Sequence, residues 1–160
     1  MTDATDIAAP RETTALIDRI LTSYHAVLHA GLATLLPLAA KVESVHADVA
    51  EAPRGLAQML AVPRHAMDDH MAKAERILFP AIRAGGMPGT EHPIAVMRAD
   101  HRDYAASIAQ IRALAANLTP PDHACGSWRA LHAGTEKLPD DLAAHIALKN
   151  EVLFARFERS

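Results

Sequence analysis

Two ten-residue stretches decide the fold: HMAKAERILF at residues 70–79 and HIALKNEVLF at residues 145–154. Each begins with a histidine followed by an apolar residue, and each reaches a Leu-Phe pair after the same interval. At the helical period, a histidine roughly two turns before a packed leucine lies on nearly the same face as that leucine. The repeat predicts two helices that each direct one imidazole into the core.

Two further histidines fall on apolar helical stripes. His25 follows Leu21 by four residues, and His101 follows Met97 by four residues. Residues four apart lie on the same face of a helix, so both imidazoles are predicted to point inward. Each of four predicted helices therefore supplies one histidine to the core.

Apolar residues recur at three-and-four spacing over four stretches, and Pro and Gly residues separate them. The predicted helices run from Thr13 to about Val45 with a bend at Pro37, from about Leu56 to Ile82 with a kink at Pro63, from just after Pro93 to about Leu114, and from about Ser127 to Phe157 with a kink at Pro139. Long helices with modest connections predict an all-α protein, an antiparallel up-down four-helix bundle over residues 12–160. Residues 1–11 are predicted to form a flexible N-terminal lead.

The composition excludes several classes of protein. The chain has 160 residues and a formal charge of -3, with no basic stripe for nucleic acid and no polybasic anchor for a membrane. Its longest apolar stretch, around Gly31 to Ala40, is about half a bilayer span, and residues 1–10 lack the charged n-region and apolar h-region expected of a signal peptide. Cys125 is the only cysteine, so no internal disulfide can form. These features predict a cytoplasmic protein with neither nucleic acid nor a membrane as partner.

A single histidine on an apolar face is more often hydrogen-bonded to a neighbour than bound to a metal. Four imidazoles buried in one core are costly unless their lone pairs are satisfied, and a divalent cation is the ordinary solution. The four therefore predict a metal site. His46 returns to within roughly 60° of the face of His25 and is a fifth candidate ligand. Asp141, one turn before His145, is a candidate to orient that imidazole.

Short motifs from residue 16 onward form a recognisable set. They are Tyr24-His25, Lys41 to His46, His70-Met71 with Ile77 to Pro80, Pro93 to Met97 with Asp100-His101, Thr119 to Pro121, Ala124-Cys125 with Trp128, and His145-Ile146 with Val152 to Phe154. With these motifs the sequence resembles the hemerythrin-like domain of the di-iron proteins that repair iron centres damaged by nitric oxide and oxidative stress. The resemblance implies a hemerythrin-like bundle with non-haem iron and a role in stress response and iron-sulfur cluster repair.

The resemblance also implies the site. It places iron ligands at His25, His70, His101 and His145, with His46 close to the centre. Two bridging glutamates complete the family's site, each four residues after a histidine of the second or fourth helix. Ala74 and Lys149 occupy those positions here.

The neighbouring acids are poor replacements for the two bridges. Glu75 and Glu151 lie five and six residues beyond a histidine, which turns a side chain roughly 120° to 140° off its face in a regular helix. Without bridging carboxylates two close cations repel strongly, and the ammonium of Lys149 adds further positive charge. Three outcomes stay open: one iron or another divalent metal held by histidines, a rearranged dinuclear site, or an empty site.

Two functional hypotheses follow. The first is a stand-alone iron protein that binds a small ligand such as nitric oxide or dioxygen, or supplies iron to iron-sulfur proteins. The second is a diverged ligand-binding or regulatory bundle with a mononuclear, haem or empty site. The sequence leaves open whether the protein is an enzyme, and it leaves open the oligomeric state.

Overall fold

The structure is a computed structural model that describes residues 12–158. The predicted flexible lead at residues 1–11 lies outside the described residues. The described part of the chain is helical and contains no strand. The fold is therefore all-α, as the spacing of apolar residues predicts.

Four helical runs contain most of the described residues and are numbered in chain order. Helix α1 is Thr13–Val45, and helix α2 covers residues 56–83. Helix α3 is Glu91–Asn117, and helix α4 covers residues 126–156. Helix α3 begins two residues before Pro93, at Glu91, so the predicted start was slightly late.

Three of the four helices contain a wide π-helical turn. These turns are Ile20–His25 in α1, Ala74–Leu78 in α2 and Leu148–Leu153 in α4. A π turn inserts an extra residue into the helix and is frequent at functional sites. In this chain each turn contains or closely follows one of the core histidines, so the helices are locally irregular around the predicted site.

The prolines within the helices do not interrupt them. The backbone stays helical through Pro37, Pro63 and Pro139. Pro63 and Pro139 are themselves buried. The irregular turns of the helices therefore lie beside the histidines and not at these prolines.

The core consists of two apolar clusters with a polar layer between them. The upper cluster includes Leu28, Leu60 and Leu131, and the lower cluster includes Ile17 and Phe154. Helices α1 and α3 pass through the lower cluster first and the upper cluster second, whereas α2 and α4 pass through them in the opposite order. In all four helices the core histidine lies at the boundary between the clusters.

Ion pairs and hydrogen bonds also join helix ends. Near the lower cluster, the start of α1 is tied to the ends of α2 and α4, and the first part of α3 is tied to the chain just after α4. The contacts are Arg83 with Asp18 at 2.6 Å, Arg156 with Thr13 at 3.0 Å, and Arg98 with Glu158 at 2.6 Å. These three contacts therefore link α1 to α2, α1 to α4, and α3 to the segment after α4 beside the lower cluster.

Helix α1 is long and apolar enough, by length and composition alone, to cross a membrane. A core helix of a globular protein passes the same test, so one such helix is weak evidence for a span. The stretch from Gly31 to Ala40 understates the apolar character of this helix, because the mean hydropathy is high over a longer window of residues. In the structure, α1 buries Leu28, Leu32 and Leu35 against the other helices.

Candidate metal centre

The four core histidines meet in the layer between the two apolar clusters. His25, His70, His101 and His145 are each no more than 2% exposed. Their Nε2 atoms form two close pairs, with 3.2 Å between His25 and His145 and 3.1 Å between His101 and His70. The helices thus bring together one imidazole from each, with the Nε2 edges facing one another.

Three of the four rings are held from behind by an oxygen acceptor. His25 Nδ1 donates to Glu75 Oε1 at 2.8 Å, and His70 Nδ1 donates to Asp100 Oδ2 at 3.0 Å. His101 Nδ1 donates to Asn150 Oδ1 at 2.7 Å. A neutral imidazole carries one proton, so a ring that donates through Nδ1 presents a bare lone pair at Nε2. These oxygens therefore fix three inward-facing lone pairs, as acceptors behind metal-binding histidines do.

His145 differs from the other three. Its Nδ1 is buried and has no hydrogen-bond partner within residues 12–158. Its Nε2–H is therefore free to donate to the lone pair on His25 Nε2, which explains the 3.2 Å contact. The two facing Nε2 atoms of this pair are therefore compatible without an additional group, whereas the lone pair on His145 Nδ1 stays unsatisfied among the described residues.

The second pair is not satisfied in the same way. His70 and His101 both donate through Nδ1, so two unprotonated Nε2 atoms face each other at 3.1 Å. Two lone pairs at that distance repel unless a proton donor or a cation lies beside them. The geometry at this pair therefore calls for a positively polarised partner.

Lys149 supplies such a partner. Its side chain is fully buried, with 0% exposure, and its Nζ lies 3.2 Å from His70 Nε2. The amine also lies 5.5 Å from the ring centroid of Phe79 and 5.8 Å from that of Phe154. Both distances are within the range of cation–π attraction. Lys149 therefore points into the histidine layer.

Burial shifts the pKa values of these groups strongly. Desolvation, followed by the nearby Lys149, lowers the pKa of His25 and of His101 to about 4 and that of His70 to about 2. The same causes hold the pKa of His145 well below its usual value. Desolvation lowers the pKa of Lys149 to about 7, against the opposing influence of Asp100 and Glu75. At neutral pH the four imidazoles are neutral, which is the form that binds metals.

Two other predicted residues, His46 and Asp141, lie elsewhere. His46 is 21 residues after His25, a rise of about 31 Å along a helix. It hydrogen-bonds to Val42 O at 3.0 Å and lies 5.2 Å from the ring of Trp128, so the structure does not bring it to the four rings. The helical period places His46 near the angle of His25 about the helix axis, but His46 lies too far from His25 along that axis to reach the same site.

The predicted orienting acid for His145 was wrong. Asp141 forms an ion pair with Lys137, one turn earlier on the same helix, and leaves His145 Nδ1 without an acceptor. Glu151 is exposed. Neither carboxylate takes part in the hydrogen bonds of the histidine layer.

Glu75 has a role that the regular helical period did not predict. It lies five residues after His70, and its carboxylate reaches His25 on the neighbouring helix α1. The π turn Ala74–Leu78 widens the helix at this point. Ala74, the residue before it, is fully buried at 0% exposure. Asn150 lies five residues after His145 and serves His101 in the same manner, so the shared offset was a signal present in the sequence.

The amino-acid sequence of this bundle matches a known family. Residues 16–157 match the family described as Hemerythrin HHE cation binding domain. The chain belongs to the hemerythrin family. Family membership confirms the resemblance inferred from the motifs and implies non-haem iron binding.

Individual members of the hemerythrin family are also similar to this chain. It is 45% identical over 137 residues to the iron-sulfur cluster repair protein YtfE of Edwardsiella ictaluri, covering 86% of this chain and 62% of that protein. It is 44% identical over 142 residues to the iron-sulfur cluster repair protein DnrN of Neisseria gonorrhoeae, covering 89% of each. YtfE of an Enterobacter species is 43% identical over 141 residues, which cover 88% of this chain and 64% of the relative. The chain thus spans less than two thirds of the YtfE proteins.

The donor set of this hemerythrin domain fits one cation better than a bridged pair. The inward donors are neutral imidazole nitrogens, which suit iron and other divalent transition metals. None of the Asp or Glu side chains within residues 12–158 is buried, and Glu75 and Asp100 bind the outer nitrogens of the rings. In the same range no three metal-binding side chains already surround one ion position. The side chains present do not fit a carboxylate-bridged dinuclear centre.

Proposed function

We propose that this chain binds non-haem iron through His25, His70, His101 and His145 and acts in the repair of iron-sulfur centres under nitric oxide or oxidative stress. Membership of the hemerythrin family supports the binding of non-haem iron. The names of relatives that are 43–45% identical, all iron-sulfur cluster repair proteins, support the process. The proposed setting is the cytoplasm, and the proposed partners are a small ligand such as nitric oxide or dioxygen and damaged iron-sulfur proteins.

One observation carries this proposal: three of the four imidazoles have Nδ1 committed to an oxygen and Nε2 directed inward. Core histidines with a purely structural role would be expected to use both ring nitrogens in hydrogen bonds to protein groups. Among the described residues, the inner nitrogens have one another and Lys149 as their hydrogen-bond partners. This pattern favours a site for a metal over a packing role.

The proposed arrangement of the helices is antiparallel and up-down. The order in which α1 to α4 pass through the lower and upper clusters alternates from helix to helix. Such an arrangement places one residue from each helix at the same height, which is how facing helices build metal sites in bundle cores.

In this proposal the residues of the chain have distinct tasks. Glu75, Asp100 and Asn150 hold three rings in position and keep the Nε2 lone pairs free of protons. Phe79 and Phe154, whose rings stack on His25 and His101 at 5.7 and 5.9 Å, help exclude water from the layer. A bound ferrous ion would supply an open coordination position for a small ligand, or would itself be the iron delivered to a damaged cluster.

Metal analysis tests the proposal. Protein purified from iron-supplemented cells is expected to contain about one iron per chain and no Soret absorption, because the inward donors are imidazoles without a bridging carboxylate. His70→Gln should lose most of this metal. His65→Gln, a substitution at an exposed histidine on the same helix, is the matched control and should keep it.

Other results would change the conclusion. Less than roughly a tenth of an equivalent of any metal would contradict the proposal and favour a regulatory bundle without metal. Two irons with an oxo-bridge charge-transfer band would show a rearranged dinuclear centre. A Soret band would show haem. Equal metal loss in the His65 and His70 variants would mean that the metal is bound elsewhere.

A further inference from the structure

We propose that the amine of Lys149 is a built-in competitor of the metal: it donates to the His70 Nε2 lone pair that a bound metal ion would use, so the two cannot hold His70 at the same time. This inference rests on the proposed metal site and concerns what controls its occupancy. It assigns Lys149 as a residue that sets the affinity and the number of metal ions bound.

The direction of the hydrogen bond is fixed by the groups behind the ring. His70 Nδ1 donates to Asp100, so its Nε2 carries a lone pair and can only accept. A lysine amine has N–H groups to donate, and Nζ lies 3.2 Å from that nitrogen. A metal would need the same lone pair, because each imidazole nitrogen has one.

The surroundings favour this position of the amine when no metal is bound. His101 Nε2 presents a second lone pair 3.1 Å from His70 Nε2, and an N–H donor beside the pair relieves their repulsion. The rings of Phe79 and Phe154 present their faces to the amine at 5.5 and 5.8 Å. Lys149 is fully buried, so water does not offer an alternative acceptor.

The charges around the layer also make the two occupants exclude each other. The two carboxylates behind the rings, Glu75 and Asp100, carry two negative charges between them. A divalent ion balances that charge by itself. An ammonium in the same dry layer would leave an excess positive charge and repel the ion strongly at this short range.

Zinc binding by Lys149 variants tests the competition. Wild type, Lys149→Leu, Lys149→Met and the control Lys137→Met are titrated with Zn²⁺ by calorimetry. Leu removes the amine without introducing sulfur, and Met keeps the unbranched length of lysine. Lys137 is exposed and pairs with Asp141 away from the layer. In both Lys149 variants, Zn²⁺ no longer has to displace the charge-assisted hydrogen bond from Lys149 to His70. Zn²⁺ should therefore bind about tenfold or more tightly to these variants, with no change in the control.

A measurement on the wild type alone covers the case in which a variant does not fold. In ¹⁵N-labelled protein treated with a chelator, His70 Nε2 should show the shift of an unprotonated nitrogen that accepts a hydrogen bond, and Lys149 should show protected Nζ protons. Adding Zn²⁺ should remove that protection, because the amine must leave His70.

The outcomes separate this inference from the proposed function. If wild type binds Zn²⁺ and the Lys149 variants bind it no more tightly, competition is excluded and the metal site stands. Protection of the Lys149 amine that persists in the zinc-loaded wild type would also exclude it. If no protein in the series binds Zn²⁺, both proposals fail together.

Discussion

The two repeated stretches, residues 70–79 of α2 and 145–154 of α4, are alike in backbone and differ in chemistry. Both contain a core histidine followed by a π turn. In both, the residue five positions after the histidine, Glu75 or Asn150, accepts a hydrogen bond from a histidine of a neighbouring helix. The residue four positions after it is buried in both stretches but is Ala74 in one and Lys149 in the other.

The two stretches share the residues that orient the imidazole rings from outside, but they differ in the residues that face the inside of the histidine layer. The outer oxygens that orient the rings are present in both halves, so the scaffold for inward-facing imidazoles is retained. The inner positions, where the family resemblance implies two carboxylates, hold a methyl group and an amine. The support therefore predicts metal binding, whereas the inner residues argue against a bridged pair of metals.

Restoring both inner carboxylates is expected to have the largest effect. The double variant Ala74→Glu with Lys149→Glu should bind about two irons per chain, because the added negative charges offset the repulsion between close cations. Iron content and the oxo-bridge absorption band measure the change. The control places glutamate at two exposed positions, Ala105→Glu with Lys137→Glu, and should leave the iron content as in wild type. A folded double variant with no additional iron would mean that Ala74 and Lys149 do not face a common metal position.

Changing the oxygens behind the rings is expected to have the next largest effect. Glu75→Gln removes the negative charge behind His25 and should weaken Zn²⁺ binding by about 10- to 100-fold. Asn150→Asp adds a charge behind His101 and should strengthen binding by a smaller factor. Calorimetric titration of both variants measures the two affinities. Changes of the same sign in both would contradict the equivalent roles assigned to these positions.

The smallest effect is expected when one buried histidine is removed and the pH dependence of the stability of the metal-free protein is measured. In the folded protein, burial holds the pKa values of His25 and His101 at about 4 and that of His70 at about 2, all below the usual histidine value of 6.5. The unfolded chain therefore binds more protons as the pH falls below about 6.5, and the metal-free protein should lose stability as the pH falls from there toward 4. Burial lowers the pKa of Lys149 from 10.5 to about 7, so the stability of the protein should also rise with pH between pH 7 and 10.5.

Urea unfolding in the presence of a chelator at several pH values between 7 and 4 measures this slope. His145→Leu removes one of the buried imidazoles and should reduce the slope by about 1.4 kcal/mol per pH unit, the contribution of one proton. His65→Leu, a change at an exposed histidine, should leave the slope unchanged. An unaltered slope in the His145 variant would show that this ring is not buried in its neutral form.

Much of the candidate site was predictable from the spacing of residues. The four core histidines follow from their positions on apolar stripes, and the structure buries all of them in one layer. His46 was included because the angular argument ignored the rise of about 31 Å along the helix. Glu75 was considered only as a replacement for a bridging glutamate, and its contact with His25 was missed because a regular period was assumed where the backbone forms a π turn. Asp141 was a reasonable local candidate, but it pairs with Lys137.

The sequence by itself determined the all-α fold, the family and the histidines that enter the core, because each depends on patterns within single helices. The tertiary structure alone decided which oxygen supports each ring and where the amine of Lys149 lies, because those contacts join different helices. Glu75 reaches His25 and Asn150 reaches His101 across helix boundaries, at distances of 2.8 and 2.7 Å. The helical period determines the direction of a side chain about its own axis, but only packing determines which partner lies in that direction.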